Sequence, residues 1–219
     1  MSAGPRKRVA ALISGRGSNM LSLMAAARGP DYPAEIALVF SNKLDAPGLA
    51  TAREAGTATA ALSHKDHPTR EDFERAMQAV LERHDIDLVC LAGFMRLLTP
   101  WFVGQWQGRM LNIHPALLPS YRGLHTHERA LEDGVKIHGA TVHFVVPEMD
   151  AGPIIAQAAV PVLDGDTPET LGARVLVQEH VVYPLALKLV ASDKARIDGN
   201  RVITGERASE RVLVVPTPR

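Results

Sequence analysis

Asn112, His114 and Asp150 are the residues of this chain whose types and spacing point most directly to chemistry. Asn112 and His114 stand two apart in "RMLNIHPALLPSYRG", residues 109–123, where an apolar run ends against Pro115 and Pro119. A proline cannot donate to a sheet ladder, so the run reads as a strand over residues 109–114 that stops near Pro115. Two-residue spacing puts Asn112 and His114 on the same side of that strand. Asp150 follows in "VPEMDAGPII", in a loop able to reach them. A carboxylate beside an imidazole favours the cation while burial opposes it, so the pair can hold an acid that works near neutral pH. An asparagine amide beside them can donate to an oxygen that gains negative charge. Together the three describe acyl transfer. Each also has a purely structural explanation: a histidine satisfied at a strand end, or an Asx side chain bonding a turn or a neighbouring loop.

A second motif is "ALISGRGSNM", residues 11–20, where Gly15 and Gly17 follow an apolar strand and Ser18 and Asn19 open a helical pattern. Backbone N–H groups and the helix dipole suit such a turn to a phosphate. It is a poor dinucleotide fingerprint, because Met20 occupies the place of the third glycine. Lys43 also stands where a ribose-binding carboxylate is expected, so a single phosphate fits better. Glu179 interrupts the helically spaced apolar stripe Leu171, Val175, Val182, either as a functional carboxylate or as the edge of an apolar face. Arg70 begins a helix, where its charge opposes the dipole, which suits it to a ligand carboxylate. Glu71, Glu74 and Arg75 read as a solvated helix face. His125, His127, His138 and His143 lack Cys/His pairing or HExxH spacing, so no metal site is expected.

These side chains need a scaffold, and the alternation of short apolar runs with helical patterns supplies one. "RVAALIS", "EIALVFS", "TATAAL", "DLVCLAG" and "RMLNIH" read as strands. Helices are expected over residues 19–28, 47–55, 69–84 and 126–133. Repeated βαβ units imply a mostly parallel sheet with helices on both faces. "GATVHFVV" and "PIIAQAAVPV" then read as an antiparallel addition in the C-terminal half. A last long helix begins at "DTPETL", with Thr167 as cap and Pro168 at its first position. The tail "GERASERVLVVPTPR" carries a short apolar run suited to packing along an edge or remaining loose.

At 219 residues the chain is expected to form one domain with a substantial core. Lys plus Arg and Asp plus Glu both count 24, so nothing in the balance suggests nucleic acid or an acidic membrane surface, and small molecules become the default substrates. The single cysteine, Cys90, lies in an apolar run and reads as a buried, inert thiol in a reducing compartment. No apolar stretch approaches a membrane span and the amino terminus lacks a signal-peptide core, so a cytoplasmic protein is expected.

"LISGRGSN", "VFSNK", "DLVCLAGFMRLL", "LNIHPALLP", "YRGLHTHERAL", "HGATVHFV", "MDAGPIIAQ" and "QEHVVYP", in this order, resemble the phosphoribosylglycinamide formyltransferase family over about residues 8 to 190. The resemblance implies a Rossmann-like formyltransferase fold in a single domain, 1–219. Residues 1–110 form its ribonucleotide half, 111–195 its catalytic and folate half, and 196–219 a C-terminal tail. It also implies transfer of the formyl group of 10-formyltetrahydrofolate to the amine of glycinamide ribonucleotide, in purine synthesis. The folate is then a cosubstrate and no tightly bound cofactor is required. A monomer or homodimer with no nucleic-acid or membrane partner is implied.

By the same resemblance Gly17, Ser18 and Asn19 hold the ribonucleotide phosphate and Glu179 bonds the ribose. Met95, Arg96, Leu97 and Leu98 meet the pterin, with Asn112 also at the folate, and Arg70 faces the folate tail. Asn112, His114 and Asp150 are the catalytic set. The family pattern has two glycines after the aspartate, whereas Ala151 precedes Gly152 here. Two relatives of the same fold, the formyltetrahydrofolate hydrolase and the methionyl-tRNA formyltransferase, share "HP" and the downstream aspartate. The intact "SGRGSN" loop, the expected absence of an extra domain and the neutral charge balance count against both. A noncatalytic nucleotide-binding regulator would not need the Asn112, His114 and Asp150 set.

Overall fold

Hydrophobic alternation along the first strand organises the molecule. In β1 (Lys7–Ile13), Val9, Ala11 and Ile13 face one apolar cluster while Ala10 and Leu12 face another, so both sides of the sheet are covered. The computed structural model describes residues 5–205 together with residues 213 and 215. After β1 come α1 (Ser18–Ala27), β2 (Ala34–Ser41), α2 (Pro47–Glu54), β3 (Ala58–Ala61), α3 (Arg70–Arg83), β4 (Leu88–Leu91), α4 (Pro100–Gln105) and β5 (Met110–His114). The second half adds α5 (Thr126–Glu132), β6 (Ile137–Phe144), β7 (Ile154–Pro161), α6 (Pro168–Ala191), β8 (Arg196–Asp198) and β9 (Arg201–Ile203).

Seven strands form one sheet in the order β3-β2-β1-β4-β5-β6-β7. The first five are parallel and β6 and β7 join antiparallel, as the change of sequence pattern anticipates. Helices α1, α2 and α6 cover one face through Met20, Leu23, Leu49, Leu171, Val175 and Tyr183. Helices α3 and α4 cover the other through Phe73, Met77, Leu81 and Phe102. Each such fully buried side chain contributes about 1.5–3 kcal/mol. The chain connections leave β1 in opposite directions toward β2 and β4, so a crevice opens at the carboxyl ends of β1 and β4.

Thr167 caps α6 as expected, in a capping box with Thr170. Arg174 clamps Asp166 with two hydrogen bonds of 2.8 Å, fixing the approach to that helix. Helix α4 and the small β8–β9 hairpin were not anticipated. Thr99 and Pro100 do mark the start of α4, and Asp198, Gly199 and Asn200 mark the hairpin turn, but both elements are too short to show a period. The solvated face expected on α3 holds for Glu71 and Arg75, which pair at 2.6 Å. It fails for Glu74, which is buried and accepts hydrogen bonds from the Thr99 amide, at 2.9 Å, and from the Thr99 hydroxyl. The reason is α4, whose capping residue needs that carboxylate. Of the tail's apolar run, Val212 and Val214 lie outside the described residues. Among the described residues no helix is long and apolar enough to cross a membrane.

Candidate active site

The expected phosphate loop lies between β1 and α1. Gly17 adopts φ 70°, a left-handed conformation that glycine reaches at little cost, and α1 starts at Ser18 with no side-chain cap and no acidic residue in its first turn. The N–H groups of Ser18, Asn19 and Met20 precede the first intrahelical donor, the Leu21 N–H that bonds Gly17 O at 3.0 Å, and stay available to an anion. Gly48 of α2 backs the loop: its N–H donates to Gly15 O at 3.1 Å, and a Cβ there would meet Ile13 at 2.6 Å and the Gly15 and Arg16 carbonyls at 3.0 Å.

Asn19 turns its amide the other way, donating from Nδ2 to Glu179 Oε2 at 2.6 Å. Glu179 is buried, not at the edge of an apolar face, and burial pushes its pKa up while the Asn19 bond offsets part of that rise. One turn along α6, the buried Tyr183 hydroxyl lies 3.1 Å from Leu91 O and 3.2 Å from Leu111 O, so the helix is pinned to the last residue of β4 and to the start of β5. That contact aims Glu179 at the crevice.

At the end of β5, His114 is buried and half-buried Asn112 precedes it on the same side. His114 Nε2 donates to Tyr121 O at 2.8 Å, which leaves Nδ1 toward Asp150 Oδ2 at 3.4 Å. Asp150 itself sits at φ 52°, and its Oδ2 accepts the Gly123 amide at 2.8 Å. The left-handed residue of this loop is therefore the aspartate. Ala151 keeps a negative φ, so its difference from the family pattern leaves the loop intact. Gly152 is required for another reason: a Cβ there would lie 1.7 Å from Phe144 O.

Sequence reasoning missed His143. Antiparallel register places it opposite Asn112. Its Nδ1 donates to Phe144 O at 2.9 Å, so Nε2 is the acceptor, and Asn112 Nδ2 lies 3.2 Å from it. Burial lowers the His143 pKa, which keeps the ring neutral and able to accept. Asp150 Oδ1 lies 3.8 Å from the same Nε2. The signal in the sequence was "HGATVHFV", but the pairing needs the strand register.

Residues 95–98 cross the crevice after β4. Met95 and Leu97 are 68% and 60% exposed, an unusual display of apolar side chains beside polar groups. Arg96 stacks over Phe73 at 5.4 Å and Leu98 packs on the α3 side. Arg70 is exposed at the first position of α3, next to the cap Thr69. His127 and His138 bond each other, Nδ1 to Nε2, at 3.2 Å. Among the described residues no group of three or more His, Cys, Asp or Glu is placed to hold a metal ion.

Adjacent parallel strands lie about 4.8 Å apart, so the carboxyl ends of β1, β4 and β5 bring the phosphate loop, residues 95–98 and the Asn112/His114 pair side by side. Residues 7–187 match the formyl transferase family model. The chain is 45% identical over 200 residues to phosphoribosylglycinamide formyltransferase of Escherichia coli, covering 91% of this chain and 94% of that protein. This chain belongs to the phosphoribosylglycinamide formyltransferase family. The solved family structure from Brucella melitensis superposes with a TM-score of 0.83 at 56% identity, over 85% of this chain and 96% of that one. The human trifunctional purine biosynthetic protein adenosine-3 is 51% identical over 195 residues, 89% of this chain. The chain spans only 19% of the length of that relative, so the family's unit also exists there within a much longer protein.

Proposed function

We propose that this chain transfers the formyl group of 10-formyltetrahydrofolate to the amine of glycinamide ribonucleotide, giving the N-formyl ribonucleotide and tetrahydrofolate in purine biosynthesis. The observation that carries it is the convergence of the phosphate loop, the exposed apolar stretch 95–98 and the Asn112/His114/Asp150 set on one crevice. Gly17, Ser18 and Asn19 hold the phosphate and Glu179 accepts from the ribose. Met95 to Leu98 carry the pterin, and Arg70 faces the tail carboxylates.

The amine lone pair attacks the formyl carbon and the carbonyl π electrons move onto oxygen. Asn112 Nδ2 has two hydrogens; His143 takes one and the other is left for the oxyanion. His114 has committed Nε2 to Tyr121, so protonated Nδ1 is the nitrogen that donates to the oxyanion. Asp150 stabilises that cation and organises a water that carries a proton from the amine to folate N10. The C–N10 bond then breaks and its electron pair stays on the folate. No covalent enzyme intermediate is needed, since the set contains no serine or cysteine paired with a base.

The reaction uses two small molecules and no tightly held cofactor, and we assign it to one domain acting as a cytoplasmic monomer or homodimer. The test is folate absorbance during turnover with glycinamide ribonucleotide and 10-formyltetrahydrofolate. Absorbance change that requires both substrates is expected; release of formate without the ribonucleotide would make the chain a hydrolase.

A further inference from the structure

Ser14 stands at the carboxyl end of β1, between the phosphate loop and the turn that opens residues 95–98. It is buried and grips that turn twice. Its backbone N–H donates to Gly93 O at 3.0 Å, and its Oγ accepts the Met95 N–H at 2.8 Å. The hydroxyl is itself fixed, because it donates to the buried Asn42 Oδ1 at 2.6 Å, at the end of β2. A hydroxyl serves here because it donates one hydrogen while accepting another. The same stretch is held at its far end by Glu74 through Thr99. Residues 95–98 are thus suspended between two buried side chains, with the Met95 and Leu97 side chains left in solvent.

We propose that Ser14 is a positioning residue for the folate cosubstrate, through its hydroxyl on the Met95 amide. The proposal rests on the assignment of residues 95–98 to the folate made above. Because Ser14 is followed directly by Gly15, the residue also ties the backbone that meets the folate to the loop that meets the phosphate. Removing the hydroxyl leaves Gly93 in place through the Ser14 backbone and frees only the Met95 end. The expected result is a loosened folate contact with an intact phosphate loop.

The test compares wild type with Ser14→Ala, and with Asn42→Ala, which frees the hydroxyl without deleting it. In the ligand-free protein, hydrogen exchange at the Met95 amide should speed up about tenfold in Ser14→Ala and less in Asn42→Ala, as expected for a lost intramolecular bond. In steady-state kinetics KM for 10-formyltetrahydrofolate should rise severalfold to about tenfold, with KM for the ribonucleotide changed less than about twofold. Unchanged Met95 exchange, or a parallel rise of both KM values, would overturn the proposal. Should Ser14→Ala not fold, the Asn42→Ala values decide by the same criteria. Faster Met95 exchange in a protein whose wild type binds no folate would instead remove residues 95–98 from the folate site, and with them this role for Ser14.

Discussion

Asn112 on β5 and His143 on β6 are register partners in the sheet, and the asparagine amide donates to the histidine ring at 3.2 Å. Because the other ring nitrogen is committed to Phe144 O, the direction of this bond is settled, and it fixes which end of the Asn112 amide faces the crevice. His143→Ala should therefore lower kcat by roughly ten- to a hundredfold with both KM values nearly unchanged, since an oxyanion donor loses its aim. Combined with Asn112→Ala, it should add little. A full multiplicative loss in the double mutant would show that His143 acts independently of Asn112.

Gly152 and Ala151 separate two reasons for small residues in the loop that carries Asp150. Gly152→Ala must push the loop away from Phe144 O and carry Asp150 off His114, so turnover should fall by at least about a hundredfold. Ala151→Gly should leave kcat within about twofold and cost roughly 0.5–1 kcal/mol of stability through the unfolded chain. Urea denaturation and steady-state kinetics on the two variants test both statements.

In the phosphate loop, Gly17→Val forces a β-branched residue into φ 70° and sets its Cβ 3.3 Å from Ile13 and Met20. Calorimetry should show ribonucleotide binding weakened at least about tenfold while folate binding stays nearly intact. Equal losses of both ligands would mark the turn as merely structural.

Much of this molecule was legible in the sequence because its elements are long and their periods differ. The five parallel strands, α3, and α6 with its cap Thr167 follow directly from pattern and capping chemistry. The neighbours Asn112 and His114 were legible because strand-end position and two-residue spacing are local properties, whereas Asp150 was reached only through its loop motif and the family resemblance. His143, Glu74 and Ser14 were not, since each has its partner 25 to 81 residues away and only register or helix packing brings the two together. Glu74 in particular is a carboxylate on a charged helix, and the sequence does not reveal that Thr99 needs it.

His138 gives the fold an acid limit. It is buried against His127, and its pKa is lowered to about 4, by burial first and by the His127 charge second; burial also lowers that of His127. Below the ordinary value of 6.5 the unfolded chain takes up protons that the folded protein refuses. The His138 contribution to stability is therefore full above about pH 6.5 and is lost as the pH drops toward 4. The loss should be on the order of 1–3 kcal/mol. Urea midpoints at pH 7.5 and 5 should differ less for His138→Gln than for wild type; an equal difference would place the acid sensitivity elsewhere.

In the proposed mechanism Asp150 and His114 are the pair on which the chemistry turns. Asp150→Asn removes the negative charge 3.4 Å from His114 Nδ1 and the group that organises the proton relay, while keeping the acceptor for the Gly123 amide. In the same mechanism, His114→Asn removes the imidazole beside that carboxylate and leaves the oxyanion one donor short. Each should lose on the order of a hundredfold or more in kcat with ribonucleotide affinity roughly kept, because neither residue touches the phosphate loop. Groups that act as a unit combine far below additivity, so the double mutant should be little worse than the worse single mutant. Strictly multiplicative losses would mean that the two side chains act separately, and that the strand ends in a histidine whose bond to Tyr121 O is its whole purpose.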